Sequence, residues 1–367
     1  MKRKVSLLLF LVLLLTGTSY ALDYTITDLG NLGGRDSAGI AINDMGQVTG
    51  WSYTAGNSGF HAFLYGNGPV RDLGTFGGKS SAGLGINNLG QVTGVAYLSG
   101  DSSSHAFLYS NGVMQDLGTL GGTNSNSFGI NDSGQMVGSS DTPGDSANHA
   151  FLYSNGTMQD LGTFGGTYST AYGINKSGQV TGDAFLSGDS ASHAYLYTNG
   201  IMQDLGTLGG FWSVGNGVND SGQVAGFSYT NAYSTMHSFL YRNGVMQDLG
   251  TLGGPESTAM AINNLGQVVG CSDTDFGVHA YLYSNGVMRD LNLYDIAGFS
   301  DNWLYLEYAY DINNLGQITG IGVKTDGSWG AFLLTPENTS PVPIPATALL
   351  FGTGLVGMAG TRRWFKG

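Results

Sequence analysis

Apolar and polar positions between residues 24 and 335 alternate in short, strand-length bursts, and no 3.6-residue period runs through them. In the second copy of the pattern, residues 82–87 are small and apolar and close on Ile86-Asn87. Residues 91–96, 105–109 and 113–118 form three further bursts. Asn88-Leu89-Gly90, a polar stretch at 99–104, and Ser110-Asn111-Gly112 separate them. Turns of the Asn-Gly type suit tight hairpins, because glycine accepts a positive φ without steric cost. The unit reads as a four-stranded antiparallel meander.

The unit recurs. Gly-Gln stands at Gly46, Gly90, Gly134, Gly178, Gly222, Gly266 and Gly316, spaced by 44 residues five times and then by 50. Asp-Leu-Gly begins at Asp28, Asp72, Asp116, Asp160, Asp204 and Asp248, with Asp290-Leu291-Asn292 as an altered copy. The chain's six histidines fall at His61, His105, His149, His193, His237 and His279, and the seventh copy has Gly330 in that place. Four strands in about 40–45 residues, repeated, are the mark of a propeller blade. Residues 24–30 are a fourth-strand sequence standing alone, while the last copy (308–313, 317–321, 329–334) lacks a fourth strand. The prediction is an all-β, seven-bladed β-propeller of four-stranded antiparallel blades, its ring closed by the N-terminal strand completing the last blade. Such closure removes an exposed sheet edge.

Composition narrows the function. Sixty-two glycines without a Gly-X-Y period exclude collagen, and 41% hydrophobic against 11% charged residues excludes disorder. Net charge is -13; between the two ends, seven basic residues face all 26 acidic ones. So acidic a body repels phosphate backbones, which argues against nucleic acid as partner. Most of the acid is Asp in turns, where its carboxylate bonds the nearby backbone. Cys271 is the single cysteine and follows Val268-Val269-Gly270, so no intramolecular disulfide forms and a buried thiol is expected.

The ends read as addresses. Lys2-Arg3-Lys4, an apolar stretch at 5–15 and Ser19-Tyr20-Ala21 form a signal peptide over residues 1–21, with cleavage at Ala21. The propeller domain takes 22–335, a Pro-rich linker and motif 336–345, and a short apolar helix with a basic finish 346–367. Residues 346–360 span roughly 22 Å as a helix, which makes a marginal membrane anchor. Pro343-Ile344-Pro345, that Gly-rich run, and the basic end with Arg362 and Arg363 resemble a PEP-CTERM sorting signal in its Val-Pro-x-Pro variant form. The resemblance implies an exosortase-like membrane processing enzyme as partner. It also implies transient inner-membrane anchoring and a destination at the surface or extracellular matrix of a Gram-negative bacterium. The repeat, with His61-Ala62-Phe63, His105-Ala106-Phe107 and His149-Ala150-Phe151, resembles the HAF family of extracellular repeats, which brings no catalytic residues with it.

Equivalent histidines in different blades stand too far apart to share a metal ion. They and Asp72, Asp116, Asp160, Asp204 and Asp248 are therefore read as scaffold, each histidine hydrogen-bonding a buried backbone or carboxylate group. No cofactor is called for; Asp101, Asp145 and Asp189 are the candidate calcium ligands, without EF-hand spacing. No nucleophile elbow, phosphate loop or zinc helix is present. The loops that differ between copies carry Tyr53, Tyr97, Tyr168, Phe211, Trp212, Tyr229 and Tyr233 among short polar residues. They are the candidate ligand-binding residues, suited to sugar rings of an extracellular polysaccharide. The extra residues at 291–308 read as a plug at the closure seam. The expectation is a non-enzymatic interaction or structural module; the alternative is a secreted polysaccharide lyase or glycosidase with its site on the variable loops, through carboxylates distant in sequence.

Overall fold

The computed structural model describes residues 24–337, apart from 67 and 232–234. The signal peptide with Ala21, the sorting motif at Pro343, Ile344 and Pro345, Arg362, Arg363 and Tyr233 all lie outside the described residues.

The fold is a β-propeller built from four-stranded antiparallel sheets. In the first, Gly33–Ile42, Val48–Thr54, Phe60–Tyr65 and Arg71–Asp72 pair in chain order; the second follows with Gly77–Ile86, Val92–Leu98, Ser104–Ser110 and Val113–Asp116. The meanders beginning at Ser125, Gly165, Ser213 and Ser257 repeat this order. In the last sheet Trp303–Ile312, Ile318–Lys324 and Trp329–Pro336 are joined by Tyr24–Asp28, which runs antiparallel to Trp329–Pro336 with Tyr24 opposite Pro336. The extra residues of this copy add Ile296–Ala297 as a parallel edge strand beside Tyr24 and Thr25, so they lie against the junction of the first and last described strands. They also hold the single α-helical turn among the described residues, Phe299–Asn302, where the sequence pattern predicts no helix.

Two strand limits differ from expectation. First strands begin earlier than the apolar pattern suggests, at Gly33, Gly77 and Gly165, because Gly33, Gly77 and Gly165 still pair with the far ends of the neighbouring strands across an irregularity. The last strand runs through Pro336, one residue into the segment assigned to the linker, because Pro336 sits opposite Tyr24. Proline is tolerated at such a strand terminus, where its missing N–H is not needed.

Each turn after a first strand is governed by one asparagine. Asn43 Oδ1 accepts the backbone N–H groups of Met45 and Gln47 at 3.1 and 2.9 Å. Its Nδ2 donates to Gln47 Oε1 at 2.8 Å and to the carbonyl of Asn87 in the next sheet at 2.9 Å. Only a carboxamide supplies both acceptors and both donors. Asn87, Asn131, Asn175, Asn219 and Asn263 each bond to the following one in the same way, ending on Asn313, and Asn313 donates to Asn43 at 2.9 Å. A serine does the same further out: Ser81 Oγ accepts Ala62 N–H from the preceding sheet, and Ser37 Oγ accepts Ala331 N–H.

The core lies between adjacent sheets. Ala62 and Leu73 meet Val92, Ala96 and Phe107 in one such layer; Val48 and Phe63 meet Leu29, Ala331 and Leu333 in another. The innermost strands carry a bulge at Ile40, Leu84, Phe128, Tyr172, Asn216, Met260 and Tyr310, each lacking a cross-strand partner. A bulge re-aims its side chain, and all seven line a central cavity of about 400 Å³. The meander leaves two unlike faces. One carries the short Asn turns and Asn-Gly hairpins; the other carries the longer second-to-third-strand loops and the sheet-to-sheet crossings.

Candidate ligand-binding face

On the long-loop face, at the junction of the first two sheets, Trp51, Tyr53, Phe60 and Tyr97 surround a cleft of about 390 Å³. Trp51 and Tyr53 stand two residues apart on one strand and so share a face; Phe60 is opposite Tyr53 on the next strand. The three rings meet edge to face, Trp51–Tyr53 at 5.8 Å and 87°, Trp51–Phe60 at 5.8 Å and 61°, Tyr53–Phe60 at 6.0 Å and 82°. This is the favoured arrangement for aromatic quadrupoles, and it fixes the rings without a ligand. Tyr97 forms the far wall and is 37% exposed. Ser104 and Asn126 supply hydroxyl and amide groups, while Ser81, its Oγ committed to Ala62 N–H and the Gly74 carbonyl, joins Ala82 and Val95 in closing the remaining lining.

Of the predicted aromatic residues, Tyr53 and Tyr97 therefore share one site. The others do not join them. Tyr168 packs on Phe185 at 5.9 Å and 64° in a different sheet. Phe211 and Trp212 both stack on Tyr229, at 5.6 Å and 6.3 Å. Sequence reasoning missed Trp51 and Phe60 and assigned Tyr53 and Tyr97 to loops, whereas all four lie in strands. A signal existed: the residue after each Val-Thr-Gly or its variant is Trp51, Val95, Ser139, Asp183, Phe227, Cys271 or Ile321, changing while its neighbours repeat.

Asp183 takes this position in the fourth copy and is buried. Ser192 Oγ donates to its carboxylate at 2.7 Å, and the Trp212 side chain also bonds it. Burial pushes its pKa up to about 6, against the downward pull of those two bonds. At the cavity, Asp311 stands where other copies have Ala41, Gly85, Gly129, Gly173, Gly217 and Ala261. It accepts the N–H groups of Ile42 at 2.9 Å and Ile312 at 2.8 Å, and desolvation raises its pKa to about 7. Burial likewise raises Tyr172 and Tyr310 to about 12, so both present neutral hydroxyls to the cavity. Cys271 is buried, its thiol pushed up to about 12 by burial and then by Asp273, which keeps it protonated.

Each histidine Nδ1 lies 2.7–2.9 Å from the carboxylate eleven residues on: His61 with Asp72, His105 with Asp116, His149 with Asp160, His193 with Asp204, His237 with Asp248, His279 with Asp290. These carboxylates are not buried as expected; Asp72 is 45% exposed, and only Asp290, beneath the extra segment, is enclosed at 9%. The strand ends at this Asp, or two residues on at Gly162 in the copy with Asp160, and the Asp also accepts a backbone N–H two residues on, as Asp72 does from Gly74 at 2.8 Å. Asp101, Asp145 and Asp189 each accept a backbone N–H at 2.7 Å, from Lys79, Thr123 and Thr167. Their carboxylates thereby pin a loop to the start of its own sheet. Among the described residues no group of three or more His, Cys, Asp or Glu is placed to hold a metal ion.

The fold and cleft together define a propeller with an aromatic site on one face. No protein-family model matches the chain, and no curated protein does. Solved structures resemble it distantly. TolB from Acinetobacter baumannii aligns with a TM-score of 0.43 at 12% identity over 70% of this chain and 62% of that one. A structure described as TolB from Agrobacterium tumefaciens gives 0.41 at 14% identity over 63% and 86%. One described as a gluconolactonase gives 0.39 at 14% over 72% and 90%. The chain thus spans less than two thirds of the length of the Acinetobacter protein.

Proposed function

We propose that the chain is an exported, non-enzymatic binding module that holds extracellular polysaccharide at the cell surface or in its matrix. The aromatic cleft of Trp51, Tyr53, Phe60 and Tyr97 carries this reading. Ring planes next to hydroxyl and amide groups recognise the C–H faces and hydroxyls of sugars, and the rings are packed before any ligand arrives. The scaffold is a seven-bladed ring closed by Tyr24–Asp28. Its support is the unbroken series of Asn-to-Asn bonds that returns from Asn313 to Asn43. Export, exosortase-like processing and transient anchoring follow from the sequence of residues 1–21 and 341–367.

A glycan array with the purified protein, followed by product analysis of any bound glycan, tests the reading. Binding without turnover is expected, lost in Trp51→Ala and Tyr97→Ala and kept in Tyr168→Ala. Cleaved product would establish the lyase or glycosidase alternative instead, and no binding at all would leave a matrix filler. Removal of residues 341–367 is expected to turn surface retention into free secretion; unchanged localisation would overturn the reading of the tail.

A further inference from the structure

The two faces expose chemically different apolar residues. On the long-loop face the exposed large hydrophobics are aromatic: Tyr97, Tyr168, Trp212, Phe276 and Trp329. On the short-turn face all those among the described residues are aliphatic or methionine. Met45, Leu89, Leu265 and Leu315 stand at the tips of the Asn turns, 65–71% exposed, and Val113, Ile201, Val245 and Val287 follow the Asn-Gly hairpins further out, 48–70% exposed. The remaining two, Leu293 and Leu304, belong to the extra segment at 291–308.

The four inner tips are not scattered. Leu265, Leu315, Met45 and Leu89 occupy turns linked consecutively by the bonds Asn263 to Asn313, Asn313 to Asn43 and Asn43 to Asn87. The other three turns carry Ser133, Ser177 and Ser221 at the same position. Charge divides the same way: the apolar arc has Asn264, Asn314, Asp44 and Asn88 beside its tips, whereas the serine arc has Asp132, Lys176 and Asp220. Leaving a leucine in water at a turn tip has no folding benefit, since the serine turns make the same bonds from Asn131, Asn175 and Asn219.

The chain leaves the fold at this arc. Pro336 lies against Gly316, the residue after Leu315, and Gln317 Nε2 donates to Thr335 Oγ1 at 3.2 Å. Residues 338–345 then reach at most about 30 Å before the apolar run at 346–360 begins. Any bilayer that takes up that run is held within this distance of the apolar arc. Single aliphatic tips, one per turn, also suit insertion between lipid headgroups better than a flat protein contact, which needs a continuous patch.

We infer that the short-turn face is a lipid-contacting surface, its arc of Leu265, Leu315, Met45 and Leu89 dipping into the bilayer interface. The inference rests on the proposed anchoring by residues 346–367 for proximity alone. It orients the molecule: the aromatic cleft on the opposite face points away from the membrane.

The test uses the full chain with vesicles of phosphatidylcholine containing one part in five phosphatidylglycerol. A fluorescent label sensitive to polarity is placed at Leu89→Cys, or at Ser102→Cys on the long-loop face, with buried Cys271 unreactive. Expected are co-flotation, quenching of the label at 89 by brominated lipid, and no quenching at 102. The variant Met45→Ser, Leu89→Ser, Leu265→Ser and Leu315→Ser copies the three native serine turns and should fold; its vesicle partition is expected to fall about tenfold or more. Failure of the wild type to float would overturn the anchoring and this inference together. Flotation without quenching at 89 would overturn this inference alone. A label at 89 already in an apolar setting without vesicles would show instead that the tail or a second copy covers the arc, dependence on protein concentration marking the copy.

Discussion

Lys324 Nζ lies 2.7 Å from the carboxylate of Asp28, and the ammonium takes the place that a histidine holds beside the equivalent Asp elsewhere. The substitution is compensated locally. Gly330 stands at the histidine position, and a Cβ there would collide with Lys324 Cε and the Trp303 ring. Lys324 threads the vacated space, with its ammonium 5.4 Å from the centre of the Trp303 ring.

Because Asp28 belongs to the first strand and Lys324 to a strand near the end of the described residues, this pair ties the first strand into the last sheet. Lys324→Ala should cost about 1–3 kcal/mol, as expected for a partly enclosed pair that also loses a cation–π contact. Gly330→His should also destabilise, and Gly330→His with Lys324→Ala should recover part of the loss. Urea midpoints of the four proteins measure this; additive losses would show that the two positions do not share one space.

A second compensation runs through the packing of neighbouring sheets. Thr319, Thr49 and Thr181 Oγ1 lie where a Cβ on Gly39, Gly83 and Gly215 would sit. Where the earlier sheet has Val137, Ala225 or Val269 instead, the later one has Ala171, Ala259 or Ala309, packed in the same core. Only Ser127 after Thr93 departs from this. Gly39→Ala should therefore lose about 1–3 kcal/mol through overpacking. Gly39→Ala with Thr319→Val, which copies the Val137 and Ala171 pair, should be closer to wild type than the single variant. A thermal-melt double-mutant cycle with no coupling would refute the contact.

How far the sequence revealed this molecule follows from the kind of signal each part leaves. The meander was legible because Asn-Leu-Gly and Asn-Gly turns constrain the backbone by themselves, as at Asn88-Leu89-Gly90. The cavity lining was not. Ile40, Phe128, Tyr172 and Tyr310 face inward only because a bulge shifts the alternation by one, and a bulge has no fixed residue signature. The aromatic cleft was half legible. Tyr53 and Tyr97 stood out as aromatic residues in variable stretches, whereas Trp51 and Phe60 gave no such signal; strand alternation puts Trp51 beside Tyr53, and cross-strand pairing adds Phe60. The structural pairing of His with Asp required register as well: eleven residues apart in sequence, they meet only because the intervening hairpin folds one strand onto the other.

The exposed His–Asp pairs should matter less than the turn their Asp also makes. His149→Phe removes one partly exposed bond to Asp160 and should cost about 0.5–1.5 kcal/mol. Asp160→Ala also removes the bond from Gly162 N–H at 2.7 Å, so it should cost more, on the order of 1–3 kcal/mol. Neither residue lines the aromatic cleft, so neither change should alter the proposed glycan binding. Urea denaturation in the reverse order would mean that the imidazole, not the turn, holds the strand end.

Asp183 sets a pH dependence whose sign can be worked out. Its folded pKa is about 6, above the ordinary 3.8, because burial disfavours the charge more than Ser192 and Trp212 favour it. The folded state therefore binds this proton more tightly than the unfolded chain does. The stabilisation is complete below about pH 3.8, declines as pH rises through 6, and is absent above. Buried Asp311, raised to about 7, acts in the same sense, whereas Asp145 and Asp326, held low by their hydrogen bonds, act in the opposite one as acid rises, so the contribution is isolated by difference with Asp183→Asn. That variant keeps an oxygen acceptor and should be more stable than wild type at pH 7, by about 1–3 kcal/mol, with the advantage shrinking toward pH 4. Since the Trp212 side chain bonds this carboxylate, indole fluorescence gives a direct reading: a transition centred near pH 6 in the wild type, absent in Asp183→Asn. A fluorescence profile that is flat between pH 5 and 7 in both proteins would show that the carboxylate is solvated well enough to titrate in the ordinary range.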